Sequence, residues 1–586
     1  MNREAESHFS VAPVSLDMGR SIFNTNNKHL TTANAGDLNV MYVREVLPGD
    51  TWSMDMGSAI RMTTPIFPVM DNCFVDFFWY FVPNRLIWDH WREFMGENTA
   101  TAWEQQVEYE IPQITAPSGG WNVGTIADQM GIPTGVGNLS ISALPFRAYA
   151  LVWNEWFRNE NTNDPVMVNK DDATVTGSNA TNNPVINAQL GAAPLKVCKT
   201  ADYFTSCLPQ PQKGEPALLP LADLSFEGNI IPVRGNGKAL GLDAGTGTGY
   251  GDRYFGTKIG GNQGSTSGTF GVHPNLYNKN IGTIQDGYWT GTNYPRAIGL
   301  TTDASKSGVV VDLSNVTTTV TSNVTINDLR TAFQIQKYLE KEALYGSRYT
   351  ERIQAFFGVT SPDARLQRPE YLGGTRVPIN IDQVIQTSAS QQQSGLTTTP
   401  QGNAAAYSLT NYAGSMFTHS FTEDGIILGL YAIRQNHSYQ QGLDRMWSRR
   451  TKYDYYVPVF ANLGNQAVLN KEIYAQGSTV KDSDGNVIDE KAFGYQEAWA
   501  EYRYSKDYIT GKFRSNASGT LDSWHYGDDY DTLPMLSAEW MNETSENIQR
   551  TLAVDNEPQF ICDFYFKNRC SRVMPLYSIP GLIDHH

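Results

Sequence analysis

The chain has 586 residues, of which 40% are hydrophobic and only 18% charged, and its formal net charge is −16 at pH 7. There is ample apolar material for a large core, but the chain is too acidic to coat nucleic acid with its whole surface, and its Gly, Asn, Thr, Ser and Tyr content suits a loop-rich β protein better than a helical one. The five cysteines, Cys73, Cys198, Cys207, Cys562 and Cys570, are odd in number and show no C-x-x-C spacing, which argues against a disulfide framework or zinc site and for buried free thiols in a reducing compartment.

Met1-Asn2-Arg3-Glu4-Ala5-Glu6 holds no apolar stretch, so no secretory leader is expected. Arg3, Arg20 and Lys28 balance Glu4, Glu6 and Asp17, which makes the N-terminal stretch a charge-neutral arm. Residues 40–46 alternate weakly and read as a strand. Residues 74–82 are dense in Phe, Trp, Tyr and Val between Asp71-Asn72 and Pro83-Asn84, a clearer strand signal. The surrounding run carries Asp76 and is too short to cross a bilayer as a helix. Asn84 then caps an expected helix whose apolar face holds Ile87, Trp88, Trp91, Phe94 and Met95, closed by Gly96. Pro145 starts a second, with Tyr149, Val152, Trp153, Trp156 and Phe157 on one face. For both stripes, core packing is favoured over a ligand groove.

Composition shifts after Glu227. Residues 229–322 hold 18 of the 51 glycines, with many Thr, Asn and Ser, and no helical pattern. This marks an insertion of turns and short strands, and divides the chain into 1–228, 229–325 and 326–586. Gly245, Gly247 and Gly249 do not form a phosphate loop, for want of the Lys-Ser/Thr ending and a strand-then-helix frame. A third helix starts at Asn327 or Asp328 and runs to Gly346 through Leu329, Ala332, Phe333 and Leu339. Residues 387–403, rich in Gln, Ser and Thr, read as a flexible stretch. Residues 425–434 and 559–566 are two more strands. Strands this far apart must pair non-locally, which favours a sandwich with long crossovers over consecutive hairpins.

No H-E-x-x-H, G-x-S-x-G or G-x-G-x-x-G signature occurs, and the nine histidines are scattered. No catalytic, cofactor or metal residues are assigned. One cluster is chemically suggestive. Arg434, Arg445, Arg449, Arg450 and Lys452 stand against Asp444 alone, interleaved with Tyr439, Trp447, Tyr453, Tyr455 and Tyr456. Cations beside aromatic platforms suit single-stranded nucleic acid, but Arg with Tyr is also the typical anchor set of a subunit interface, and that reading is favoured. Lys567, Arg569 and Arg572 form a smaller patch with the same two readings.

The run Asp363-Ala364-Arg365-Leu366-Gln367-Arg368-Pro369-Glu370-Tyr371-Leu372-Gly373-Gly374 fits no enzymatic mechanism. It resembles a signature of the major capsid proteins of microviruses, the small tailless single-stranded DNA bacteriophages, in the gokushovirus branch. The resemblance continues through Tyr349-Thr350-Glu351-Arg352, Phe357 to Pro362, Asp202 to Ser206 with Pro209 to Gly214, Trp91 to Gly96, Tyr453 to Phe460, and Pro580-Gly581-Leu582-Ile583-Asp584-His585. A second histidine, His586, follows the usual ending.

The resemblance implies a mainly β fold, an eight-stranded antiparallel viral jelly roll with long loop insertions and a few helices. It implies a T = 1 icosahedral shell of sixty copies around a circular single-stranded DNA genome, within a virion assembled in the bacterial cytoplasm. It implies partners: an internal scaffolding protein, a small basic DNA-binding protein, a DNA pilot protein and a bacterial surface receptor. It makes the insertion a three-fold surface protrusion, in which Tyr250, Tyr254, Phe255, Phe270, Tyr277, Tyr288, Trp289 and Tyr294 pack the copies together or meet the receptor. The competing readings are a secreted β-sandwich carbohydrate-binding protein or glycosidase, and an intracellular multidomain enzyme.

Overall fold

The computed structural model describes residues 19–97, 108–215, 217, 326–346, 348–388, 401–402, 404–555 and 557–577, with six short strands between 224 and 320. The chain divides into two compact units, Met1–Glu215 with Tyr338–His586, and Pro216–Lys337. The compositional range 229–325 falls inside the second.

The first unit is built on two facing antiparallel sheets. In one, β1 (Ser21–Asn24) and β2 (Asn27–Ala33) lie end to end along the same edge of β9 (Phe560–Arg572), followed by β4 (Thr51–Met62) and β7 (Thr410–Ser420). The other runs β6 (Glu370–Pro378), β5 (Cys73–Pro83), β8 (Gly425–Gln435), β3 (Asn39–Val46). Every one of these neighbours is distant in sequence or crosses over, as in a jelly roll. With β1 and β2 counted apart, the sandwich has nine strands among the described residues, because the edge strand is interrupted at Thr25, whose N–H still donates to Asn568 O at 2.9 Å.

Between the sheets lies an aromatic core. Trp52, Met54 and Met56 from β4 and Phe564 and Phe566 from β9 meet Phe77, Trp79 and Phe81 from β5 and Tyr431 from β8. Phe564 packs on Tyr431 with ring centroids 5.0 Å apart and on Phe77 at 6.1 Å. The β5–β8 sheet is covered on both faces. Its opposite side chains, Tyr80, Val82, Ile426, Leu428 and Leu430, enter a second core with Trp88, Trp121, Phe146, Tyr149 and Val152. Strands buried on both faces are apolar throughout rather than alternating, which is why residues 74–82 and 425–434 stand out in the sequence.

The covering layer includes α1 (Leu144–Val152), extended by one wide turn, Trp153–Phe157. Tyr149 Oη donates to Leu38 O at 2.8 Å and Trp153 Nε1 to Lys196 O at 2.8 Å, anchoring the helix beside the sheet. The helix expected over 84–96 is not continuous. It forms a turn, Asn84–Leu86, and a short helix, Trp91–Phe94, because Ile87 and Trp88 are fully buried and draw the chain inward. The third expected helix is α2 (Ile326–Tyr345), followed by α3 (Tyr349–Phe357). All five cysteines are free thiols and only Cys198 is part-exposed. The stretch 387–403 joins in sequence the two strands of a ribbon, Ile381–Ile385 with Ala404–Ser408; Gly402 N–H donates to Gln386 O at 2.8 Å, while 389–400 and 403 lie outside the described residues.

A third core gathers Tyr203, Phe204, Tyr439, Ile473, Phe493 and Trp540. It supports the loops between β8 and β9, where the basic cluster lies.

Within the second unit, Leu224–Phe226 pairs antiparallel with Thr318–Val320, and Val233–Gly235 with Val309–Val311. Two short antiparallel pairs thus bring residues before and after the insertion side by side.

Candidate assembly and nucleic-acid interface

The basic segment folds as three single turns, Arg445–Ser448, Lys452–Asp454 and Pro458–Phe460. Asp454 fixes the middle one. Its carboxylate accepts from the N–H of Arg450 at 2.8 Å and of Thr451 at 2.6 Å, and from the Thr451 hydroxyl at 3.0 Å. Those backbone donors hold the Asp454 carboxyl below the usual carboxylate range.

Most of the positive charge is neutralised internally. Arg449 donates to Glu501 at 3.0 Å, with its guanidinium over the Tyr502 ring at 4.5 Å and the Tyr455 ring at 5.3 Å. Arg445 donates to Ala467 O at 3.0 Å and lies 3.7 Å from the buried Glu472. Arg434 is apart from the others, on β8 against Asp76. Arg450 and Lys452 make no ion pair among the described residues; Lys452 sits over the Tyr453 ring at 5.1 Å. The local excess of charge read from the sequence therefore reduces to two exposed cations.

What the fold does present here is apolar. Trp447 is 69% exposed, Tyr453 64%, Val459 84% and Tyr508 73%, with Met446, Tyr455, Leu463 and Tyr504 also open. A 320 Å³ cleft beside them is lined by Arg445, Arg449, Tyr502 and Tyr504. Large side chains this exposed and this concentrated mark a surface meant to be covered by protein. Tyr502, Tyr504 and Tyr508 come from a segment that sequence reasoning did not single out. Its aromatic density, from Tyr495 through Trp499 to Tyr508, was the signal available.

The smaller patch is split. Arg572 is held by Asp50, with Nε 2.9 Å from Oδ1, whereas Lys567 and Arg569 are exposed on the outer face of β9. In the insertion, Tyr254 and Phe255 pair in parallel with Thr269 and Phe270. Tyr250, Tyr277, Tyr288, Trp289 and Tyr294 lie outside the described residues. No group of three or more metal-ligating side chains converges among the described residues.

The capsid protein (F protein) family matches residues 13–582. The chain is 38% identical to the capsid protein VP1 of Chlamydia phage 1, over 98% of each chain. It is 38% identical to the capsid protein VP1 of Spiroplasma virus 4, over 96% of this chain and 95% of that one, and to that of Bdellovibrio phage phiMH2K, over 99% and 98%. These relatives are structural capsid proteins, not enzymes. End-to-end similarity at this level, on an antiparallel sandwich, shows that the chain belongs to the phage capsid protein (F protein) family.

Proposed function

We propose that this chain is the major capsid protein of its virion, sixty copies closing a T = 1 icosahedral shell around a circular single-stranded DNA genome. The observation that carries the reading is the exposure of Trp447, Tyr453, Val459 and Tyr508, taken together as an apolar ledge, on a unit whose three cores are otherwise filled. Obligate assemblies bury roughly 2,000 Å² or more per interface, anchored by such side chains. Arg445 and Arg449 hold the ledge in shape through Glu472 and Glu501, and Arg450 and Lys452 lie on it. The ledge serves contact between copies rather than DNA.

The insertion serves host attachment as a three-fold protrusion, with its aromatic residues packing the copies together. The acidic balance, −16 overall, makes a separate small basic protein the main neutraliser of the genome. An internal scaffolding protein, a DNA pilot protein and a bacterial surface receptor complete the set of partners.

The test is assembly. Expressed with a scaffolding partner, the chain yields closed shells by negative-stain microscopy. The double substitution Trp447→Ser, Tyr453→Ser melts at the same temperature but stays unassembled. A wild-type chain that remains solitary with scaffold and in infected cells overturns the shell reading. A double variant that assembles normally removes the ledge from it.

A further inference from the structure

Among the described residues, one face of the sandwich is bare. On the outer side of the β9–β4 sheet, β9 presents Ile561, Asp563, Tyr565, Lys567 and Arg569, β4 presents Ser53, Asp55, Gly57, Ala59 and Arg61, and β2 presents Lys28 and Leu30. The opposite sheet is covered on both sides, so among the described residues this is the one broad strand surface of the sandwich open to a partner. Its charge runs against that of the chain. Lys28, Arg61, Lys567 and Arg569 face only Asp55 and Asp563, an excess of two positive charges on a protein of net charge −16.

We propose that this face binds the sugar–phosphate backbone of single-stranded nucleic acid; the proposal rests on the shell reading above and assigns the bare face to the inside. Charge complementarity is the first argument. Arg61, Lys567 and Arg569 make no ion pair among the described residues, and only Lys28 is held, 3.0 Å from Asp563. Spacing is the second. Lys567 and Arg569 are two residues apart on one strand, about 7 Å, close to the separation of successive phosphates along an extended strand. Lys28 lies directly across from Tyr565, placing a cation beside an exposed ring on which a base can stack. Surface relief is the third. The central strand offers Ser53, Gly57 and Ala59, which let a backbone approach closely and give a protein partner no anchor of the size that interfaces use. Ile561 and Tyr565 on β9 are the exceptions, together with Ile22 and Leu30 on the edge strands.

The test uses the full chain and a fluorescent oligothymidylate, with binding followed by anisotropy across a salt series. The triple substitution Arg61→Gln, Lys567→Gln, Arg569→Gln removes the three cations of the face that no carboxylate among the described residues holds, and with them three phosphate contacts. The slope of log K against log salt therefore falls by about 2, at roughly 0.7 per contact for single strands. The variant still closes into shells, and these carry less nuclease-protected DNA than wild type. An unchanged slope overturns the proposal. So does a variant that keeps the wild-type melting temperature and fails to form shells, since the face would then be a contact between copies. The shell reading is judged separately, on wild-type assembly alone.

Discussion

Arg434 on β8 closes on Asp76 of the adjacent β5, from which its neighbouring nitrogen Nε lies 3.1 Å away. Arg376 on β6 approaches the same carboxylate from the other side, with Nε 2.6 Å from Oδ1 and the other terminal nitrogen 3.0 Å from Oδ2. One buried aspartate thus ties three strands of the doubly covered sheet together, and both arginines lie over Phe74. The two guanidinium groups are not equivalent. Arg376 is half exposed, whereas Arg434 is largely enclosed and also donates to Cys198 O at 3.3 Å.

Asp76→Asn is therefore expected to cost roughly 3 kcal/mol, because it strands the Arg434 charge inside, while Arg376→Gln costs under about 1 kcal/mol, since the lost partner is mostly hydrated. Denaturant midpoints of the unassembled chain measure both. Equal losses for the two variants contradict this ordering.

His437 is enclosed completely, with Nδ1 3.0 Å from Asp528 and Nε2 3.2 Å from Glu543. Burial alone would depress its pKa, but the two carboxylates outweigh that and lift it to about 10. Burial likewise opposes the charge on Asp528, yet Lys199, 3.6 Å away, and His437 hold it well below the usual carboxylate range. A raised histidine stabilises fully below its unfolded value of 6.5 and loses that contribution as pH climbs toward 10. A depressed aspartate stabilises above its unfolded value of 3.8 and loses that contribution on acidification. Stability should thus decline from pH 7 to 10 by up to about 1.4 kcal/mol per unit. His437→Gln should remove that slope as well as lower stability. Parallel pH profiles for variant and wild type would show that His437 does not carry it.

The Asp363 to Gly374 run, opaque to any catalytic reasoning, has a packing explanation. Asp363 binds Arg368 at 2.7 Å, and the Arg368 guanidinium lies over Trp156 at 4.2 Å. Trp156 Nε1 donates to Pro369 O at 3.1 Å, and Tyr371 packs against both Tyr80 and Trp156. The run then enters β6 through two glycines that must be bare. A Cβ on Gly373 would sit 2.5 Å from Met416 O; one on Gly374 would strike Phe77 O and lie 2.5 Å from the Tyr371 hydroxyl. Gly374→Ala should cost about 3 kcal/mol, the upper range for overpacking, because the obstacle is paired backbone. Thr375→Ala, next along the strand, serves as the control and should cost under about 1 kcal/mol. Comparable midpoints for the two variants would refute this account of the glycine pair.

The contrast between the sheets explains what was readable beforehand. β5 and β8 are apolar from end to end because both faces are covered, and the sequence shows them plainly. β4 and β7 bury one face only and spend the other on Ser, Asp, Gly and Asn; Thr51–Met62 and Thr410–Ser420 therefore passed as unremarkable polar stretches. α1 and α2 kept their periodicity and were legible. The stripe after Asn84 had the same periodicity but yields two short pieces, since burial of Trp88 overrides propensity. At the interface the residue types were legible and their partners were not. Nothing near Arg449 in sequence announces Glu501, so a cluster that reads as free positive charge is mostly spent on contacts within the fold.

The pairing before and after the insertion makes one experiment unusually clean. Phe226 and Thr318 are directly paired at the end of their strands nearest the insertion, so the chain can be closed there by a two-residue Asn-Gly turn, which suits the twist of an antiparallel pair. Removing the residues between them deletes the Gly-rich composition and leaves the described residues of the first unit whole. Loops of this kind contribute little to the stability of the sandwich they leave, because closing a long loop costs only slowly more than closing a short one. The excised chain is expected to unfold at the wild-type temperature, and particles built from it should adsorb poorly to the host. Adsorption at the wild-type rate would place the receptor contact elsewhere on the shell. A marked fall in unfolding temperature would mean instead that the insertion is part of the folding unit, and that its aromatic residues serve the subunit before they serve any partner.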